Sequence, residues 1–445
     1  MVETWQALVA SITFVIVILA IMTEWIQLTV AALLGALVLV FSHIMSLTEA
    51  MNYIGNGYPT LALFFGVMVL VRAFESTHVF EYLATQMVIM ANGEGKRLLL
   101  GIVAITAPIC AILPNATTVM LLAPLMPTIA SELEVDCVPL LVLLVFVANS
   151  AGLLTLVGDP ATFIVGDAIN ISFIDYLQKL SLGGVVAIAA ILVLLPILFR
   201  DIWKWRITDL TVLPHPKIHR PTVLALGGVV IALMLTCFVV GELFPVPITP
   251  AKAALMGAAL ALLIAHQSKL DTVHNILQDV DWSTLIFFMC TFVLIGGLEK
   301  TGVIGQLSQL LAVLIGKNIM LGAIVMVFVI GLLSSFVPNI PLVVAMVPLL
   351  KQYLVTTGLV VGPEVLSPTF TGEFPPEVLP LFYAMMYGAT LGGNGTLVGA
   401  SSNIVAAGIA EQHGQSISFQ HFLKYSIPVT AVQLIVVAIY IFIRF

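Results

Sequence analysis

Apolar stretches long enough to form helices follow one another along almost the whole of this 445-residue sequence. A membrane-spanning helix needs about 20 predominantly apolar residues, and within a bilayer only helices or closed barrels satisfy every backbone polar group. Apolar residues make up 60% of the chain and charged residues 9%, against about 25% charged in soluble proteins. The sequence predicts an all-α polytopic membrane protein and excludes a soluble enzyme, a nucleic-acid binder and a disordered chain.

The apolar stretches form two groups of spans on either side of a hydrophilic connector. Before the connector, the candidate spans are residues 5–23, 26–44, 60–74, a broken span around 140–169, and 182–199. After it, they are 223–240, 251–266, 284–298, a broken span around 380–410, and 427–443. Two further stretches, at about 97–130 and 321–355, are too long for one straight span.

The second half of the sequence repeats the first. With a constant offset of 224, the Pro-Asn pair at 114–115 aligns with the Pro-Asn pair at 338–339. Later, the string TLVG at 155–158 aligns with TLVG at 396–399. Five spans in each half would invert the second copy relative to the first, and inverted repeats are typical of secondary transporters.

This repeat predicts the domain organisation. We expect inverted repeat 1 over residues 1–205, a connector over 206–222 and inverted repeat 2 over 223–445. The basic residues in and beside the connector, such as Arg200, Lys204 and Lys217, predict that it is cytoplasmic. Both termini would then be non-cytoplasmic, in an inner or plasma membrane.

The two long stretches are predicted to be re-entrant helical hairpins, because proline at 114 and 338 interrupts each near its middle. Their tips would be the residues 115–118 and Asn339. A hairpin tip exposes N–H groups of the second arm, which suit an anion, and carbonyls of the first arm, which suit a cation. The alternative is a kinked helix with an asparagine that only packs.

A second break in each half brings polar residues to bilayer depth. In the first half it contains Gly158, Asp159 and Thr162, and in the second half it runs from 392 to 403. A buried aspartate costs about 2.5–3.5 kcal/mol on insertion scales, so Asp159 is a candidate for binding a cation or a coupled proton. The alternative is that Asp159 only caps a half-helix, and that the amides and hydroxyls only bond between helices.

Several motifs carry a resemblance to a known family. The string GGNGTLVGASSNIVAAGIAEQHG at 392–414, with PNATTVMLLAP at 114–124, LVGDPATFIV at 156–165 and SSFVPNIPLVVAMVP at 334–348, resembles the P-protein branch of the ArsB/NhaD ion-transporter superfamily. More distantly the chain is similar to the divalent-anion/sodium symporters. The resemblance implies a homodimer with scaffold and transport domains, an elevator mechanism, and ion sites at hairpin tips and unwound helices.

The resemblance also implies which residues bind ions. Carried over by motif, they are Asn115, Thr117, Gly158, Asp159, Asn339, Gly393, Asn394, Ser402 and Asn403. Four further candidate ligands are hydroxyl residues of the hairpin tip and the breaks: Thr118, Thr162, Thr396 and Ser401. The candidate Na⁺ ligands are Asn115, Asp159, Asn339 and Asn403. The branch commonly has GDPPN where this chain has GDPAT, so Thr162 lacks the side-chain amide expected at that position.

The prediction is a secondary active transporter, not an enzyme, for a small ion or anionic solute coupled to Na⁺ or H⁺. Its partners would be membrane lipid, the solute and a second copy of the chain. No cofactor and no nucleic acid are expected, and the sequence has no phosphate-binding Gly-Lys-Ser/Thr loop for ATP. The alternatives are a Na⁺/H⁺ antiporter, an arsenite or silicic acid efflux protein and a passive anion channel.

Overall fold

The structure, a computed structural model, describes residues 4–23, 25–206, 218–367, 370 and 372–445. Most of the predicted connector, including Lys217, lies outside the described residues. The regular structure of the described part is helical, apart from one isolated bridge between Glu94 and Arg206. The all-α prediction is therefore confirmed.

Thirteen helices occupy the described residues of the first half. They are α1 (Thr4–Met22), α2 (Leu28–Phe41), α3 (Leu47–Asn56), α4 (Tyr58–Glu75), α5 (Val79–Ala91), α6 (Gly95–Cys110), α7 (Asn115–Leu122), α8 (Leu125–Glu132), α9 (Cys137–Ala151), α10 (Pro160–Ala168), α11 (Phe173–Lys179), α12 (Ser181–Leu198) and α13 (Arg200–Lys204).

Ten helices occupy the described residues of the second half. They are α14 (Pro221–Val240), α15 (Pro250–Ser268), α16 (Val273–Gln278), α17 (Trp282–Lys300), α18 (Val303–Ile315), α19 (Ile319–Ser334), α20 (Asn339–Thr356), α21 (Leu379–Gly392), α22 (Ser401–Gln412) and α23 (Phe419–Arg444). The helices α17, α18, α19 and α20 each begin 224 residues after α4, α5, α6 and α7. The short helices α3, α5 and α18 were not among the predicted spans.

Within the described residues, eight helices are long and apolar enough to cross a membrane: α1, α4, α12, α14, α15, α17, α20 and α23. The pair α18 and α19 also meets this criterion as one segment, but the two helices are bent by 116°. On α1, the exposed residues Leu8, Ile12, Val15 and Leu19 recur every three or four positions. This spacing gives one apolar face of a helix, as expected where lipid replaces water. The chain is thus a multi-pass membrane protein.

Two helices form the centre of the protein. Every residue of α9 is buried, and so is every residue of α21 from Pro380 to Gly392. Such helices are hydrophobic all round, which is typical of a helix enclosed by other helices. Polar residues at their last turns are therefore placed in the interior, away from both lipid and water.

Proline sets the two hairpin breaks, but the tips differ from the prediction. Pro114 and Pro338 have extended ψ angles of 142° and 137°, and a helix begins at the next residue in each case. Asn115 therefore opens the first turn of α7, and the non-helical tip is 111–114, not 115–118. Proline explains this, because it has no N–H with which to continue the preceding helix and its ring disfavours helix at the residue before it, so helix resumes only after the proline.

Close packing between α4 and α15 gives a stability prediction. A Cβ added to Gly66 would lie 2.5 Å from the carbonyl carbon of Ala254, whereas a Cβ on Gly228 of α14 would meet nothing within 4 Å. We expect Gly66→Ala to destabilise the protein by about 1–3 kcal/mol through overpacking. The matched Gly228→Ala should stabilise it by about 0.5–1 kcal/mol, because alanine favours helix. Thermal unfolding in detergent measures both, and equal shifts would contradict the packing described.

Candidate functional site

Four chain breaks meet at one point in the interior. The helices α9 and α21 end there, and α7, α10, α20 and α22 begin there. Hydrogen bonds between side chains of these helices define the meeting point, starting from Asp159, which is 0% exposed. The site is therefore built from helix termini, where backbone groups lack intrahelical partners.

The carboxylate of Asp159 is held by four donors. Its Oδ1 accepts hydrogen bonds from Nδ2 of Asn115 at 3.1 Å and of Asn339 at 3.3 Å. Its Oδ2 accepts from Oγ1 of Thr390 and from the backbone N–H of Thr162, both at 3.2 Å. The bond to Thr162 makes Asp159 the N-cap of α10. Asp159 thus caps a half-helix and also joins the two hairpin tips.

An amide relay leads from this carboxylate to the second half. Asn149 Oδ1 accepts from Asn115 Nδ2 at 3.1 Å and from Ser402 Oγ at 2.6 Å. Asn149 Nδ2 donates to the side-chain oxygens of Asn394 at 3.0 Å and Asn403 at 3.1 Å. The predicted site residues Asn394, Ser402 and Asn403 therefore contact Asn149, and not Asp159 itself.

The relay ends on α23. Gln433 Oε1 accepts from Asn394 Nδ2 at 3.0 Å, and Gln433 Nε2 donates to Ser150 Oγ at 2.8 Å. Asn149, Ser150, Thr390 and Gln433 were not among the predicted site residues. A lone glutamine inside the apolar span 427–443 was a usable signal for Gln433, and Thr390 stands 241 residues after Asn149, the offset that relates the two breaks.

Repeat-related threonines tie each break to its hairpin. Thr155 Oγ1 donates to the carbonyl of Ala111 at 2.5 Å, and Thr396 Oγ1 donates to the carbonyl of Ser335. These first-arm carbonyls, at the positions expected to suit a cation, are therefore already hydrogen-bonded. Gly158 fits here because an added Cβ would lie 2.6 Å from the carbonyl oxygen of Cys110.

The predicted glycine and asparagine of the second break bond to each other. Asn403 Nδ2 donates to the carbonyls of Gly393 at 2.8 Å and Thr396 at 2.9 Å. Of the four candidate Na⁺ ligands, Asn115, Asp159 and Asn339 are brought together, and Asn403 is one residue removed, through Asn149. The position that corresponds to Asp159 in the second half is Ala400, so the carboxylate has no acidic counterpart there.

A central cavity of about 20 Å³ adjoins the carboxylate. Its lining residues come from both hairpin tips, both breaks and the helices α4 and α17: Phe64, Met68, Pro114, Asn115, Ala116, Thr117, Asp159, Pro160, Asp281, Thr284, Phe288, Asn339, Ile340, Ala400 and Ser401. A cavity needs roughly 10–15 Å³ to hold one water molecule. The central cavity therefore has room for one small ion or one water.

Two buried hydroxyls of the predicted site have no hydrogen-bond partner within the part of the chain that the structure describes. They are Oγ1 of Thr118 and Oγ1 of Thr162. Buried polar atoms are normally paired, and an unpaired one in a native structure often marks a place for water or an ion. Among the described residues no group of three His, Cys, Asp or Glu side chains could hold a metal. The buried carboxylate of Asp159 lies within neutral amides and hydroxyls, and the second acid of the cavity lining, Asp281, caps the start of α17. A buried carboxylate among neutral donors suits a monovalent cation or a proton.

The comparisons with known proteins agree with a transporter. A sequence model of the CitMHS family, described as a citrate transporter, matches residues 18–371. An uncharacterised transporter of Synechocystis is 68% identical over 441 residues, covering 99% of this chain and 98% of that protein. The human P protein is 28% identical over 517 residues, covering 97% of this chain and 59% of the P protein. The resemblance to the P-protein branch is therefore confirmed.

A solved structure supports the fold. The YdaH transporter of Alcanivorax borkumensis has a TM-score of 0.57 and 12% sequence identity, covering 88% of this chain and 86% of that one. At this identity the likeness shows the fold alone. Its published description notes an unusual topology.

The relay gives a testable contrast between two buried residues of α23. Gln433→Leu should leave Asn394 and Ser150 short of partners and cost about 1–3 kcal/mol. Thr430→Val is the matched control, because the Thr430 hydroxyl is buried without a partner, and this change should be neutral or stabilising. Thermal unfolding of the two full-length variants in detergent compares them. A Gln433→Leu protein as stable as the control would contradict a structural role for the relay.

Proposed function

The chain belongs to the CitMHS citrate-transporter family, and from this premise we propose that it is a secondary active transporter for a small anionic solute of the carboxylate class, coupled to Na⁺ or H⁺. The observation that carries the proposal is the lone buried carboxylate of Asp159, bonded to both hairpin-tip asparagines beside a cavity sized for one ion. Intramembrane carboxylates that face a cavity typically mark ion or proton pathways.

The coupling cation binds at Asp159. The amides of Asn115 and Asn339 now direct their NH₂ groups at the carboxylate. A half-turn of either amide would present its oxygen instead, because an asparagine side chain carries a donor and an acceptor on one planar group. Carboxylate and amide oxygens are the ligands that hard cations prefer. A proton on Asp159 is the alternative coupling species, and it needs no rotation of the amides.

The anionic group of the solute binds at the starts of α7, α20 and α22. Their N-cap residues are Pro114, Pro338 and Ala400, none of which bonds the first turn through a side chain. A helix start carries a partial positive charge and free N–H groups, which favour an anion. All three N-cap or first-turn regions line the central cavity. Because this cavity has room for only one small ion, the solute would bind beside the cation only after the tips and breaks move apart.

Transport proceeds by an elevator movement in a homodimer, as the family resemblance implies, with no need for ATP. In this proposal the helices that carry the breaks move as one body past α4 and α17, which form the other wall of the central cavity. The bonds of Asp159 to both tips support a common movement of these parts. The connector lies on the cytoplasmic face, and both termini lie on the other face of a plasma or inner membrane.

Flux through proteoliposomes tests the proposal. Citrate uptake should rise when an inward Na⁺ or H⁺ gradient is imposed, and Asp159→Asn should lower gradient-driven uptake at least about tenfold, equivalent to ~1.4 kcal/mol. Asn339→Ala should weaken it in the same direction. Asp201→Asn, on the exposed helix α13, is the matched control and should retain full uptake.

Other outcomes would identify other functions. Na⁺/H⁺ exchange without solute uptake would make the protein an antiporter, and efflux of arsenite or silicic acid would make it an efflux protein. Conductance that ignores both gradients would make it a passive channel. If Asp159→Asn and Asn339→Ala both leave gradient-driven flux unchanged, the central site is not the site of coupling.

A further inference from the structure

A second, larger cavity lies beyond the central one. Its volume is about 170 Å³, and it is lined by the end of α3, the start of α4, the end of α10, the end of α17 and the middle of α20. The opposite end of α4 adjoins the connector, since the carbonyl of Thr77 accepts a hydrogen bond from the backbone N–H of His219 at 2.9 Å. This outer cavity is therefore at the face of the protein away from the connector.

The same four helices line both cavities. On each of them a residue of the central cavity and a residue of the outer cavity stand four positions apart, about one turn. The pairs are Phe64 and Thr60 on α4, Pro160 and Ile164 on α10, Phe288 and Phe292 on α17, and Ile340 and Val344 on α20. Four residues of helix rise by about 6 Å. A single layer of side chains thus separates the two cavities, and the outer cavity is aligned with the central one.

One buried cation lines the outer cavity. Lys351 is 7% exposed, yet among the described residues its ammonium has no hydrogen bond and no ion pair within 4.0 Å. The rings of Phe374 and Phe370 lie beside it, with centroids 5.7 Å and 6.0 Å from Nζ, and the carboxylates of Asp167 and Glu299 act on it electrostatically from beyond ion-pair distance. Burying an unpaired charge is costly. Carboxylates at long range offset part of this cost, and a ligand anion in direct contact with Nζ would offset more of it.

Two acids limit what that ligand can be. Asp167 and Glu299 line the same cavity, and neither forms an ion pair with Lys351. The neighbouring Lys300 does not neutralise them, because it pairs with Glu49 of α3. The two carboxylates should hold a strongly charged anion less tightly, and they can accept hydrogen bonds from hydroxyl groups of a solute.

The geometry points to an anion-docking site in the outer cavity, in which Lys351 binds a carboxylate or phosphate group of a small polar solute. The carboxylates of Asp167 and Glu299 weaken anion binding in this cavity, and they accept hydrogen bonds from hydroxyl groups of the solute. The docking itself does not depend on the proposed function. Only the later movement of the solute to the central site rests on it. In the first half, the position corresponding to Lys351 is Pro127, so this feature belongs to one face of the protein only.

A cysteine reporter measures the charge that the cavity presents. Val347→Cys places a thiol in the lining, one turn before Lys351, in full-length protein whose four buried native cysteines are replaced by alanine. In detergent, the rates of modification by an anionic and a cationic methanethiosulfonate are compared. Lys351→Gln should lower the anionic-to-cationic rate ratio on the order of tenfold, and Glu299→Gln should raise it.

Protection of the same thiol measures docking. Citrate and inorganic phosphate are titrated separately, which distinguishes a carboxylate from a phosphate preference. We expect half-protection to need at least tenfold more anion in Lys351→Gln, with most of the protection kept in Lys351→Arg. Lys300→Gln is the matched control, because it removes an equal charge from the surface next to Glu299, and it should leave half-protection unchanged.

Two results would overturn the docking site. One is a rate ratio that is the same with lysine and glutamine at 351. The other is anion protection that Lys300→Gln weakens as much as Lys351→Gln. The measurements need no transport, so they can be repeated with Asp159→Asn; docking that survives there while uptake is absent separates this site from the central one.

Discussion

The carboxylate of Asp159 holds the interior of this protein together. A single oxygen, Oδ1, accepts from the asparagines of both hairpin tips, which stand 224 positions apart in the sequence. Without that acceptor, the Nδ2 groups of Asn115 and Asn339 would lose the partner that they share. Because the carboxylate is the one charge in a shell of neutral groups, its occupancy by a cation or proton would alter every bond in the shell at once.

The amide relay explains how so polar an interior is tolerated. Each amide of Asn149, Asn394 and Gln433 has a defined donor and acceptor partner, so the desolvation of these groups is largely offset. The relay also crosses from the first half to the second, and this links the two breaks more firmly than apolar packing could. Among the buried hydroxyls of the predicted set, those of Thr118 and Thr162 are left without hydrogen-bond partners in the described part of the chain.

The sequence predicted the helical membrane class, the two breaks and the buried position of Asp159, because proline, glycine and acids are rare and conspicuous in apolar helices. It also led to Asn115 and Asn339 as a pair. It did not predict which amides would touch, since Asn149 and Gln433 come together only when α9 and α23 pack. The predicted tip of the first hairpin was wrong by four residues. The sequence shows where the proline stands, but not whether the non-helical residues come before or after it. Lys351 was unremarkable in sequence, and only its burial in a cavity singles it out.

Four helices of the second half begin at a constant offset from four helices of the first half, but the two buried charged residues have no charged counterparts at the corresponding positions. Ala400 stands where Asp159 would recur, and Pro127 stands where Lys351 would recur. In a transporter with two chemically identical inverted halves, the inward-facing and outward-facing states would have equal free energies. Here the two sides differ in charge, so the forward and return strokes of a transport cycle would have different barriers. The gradients still set the direction of net transport, and the asymmetry would change only the rates of the two strokes.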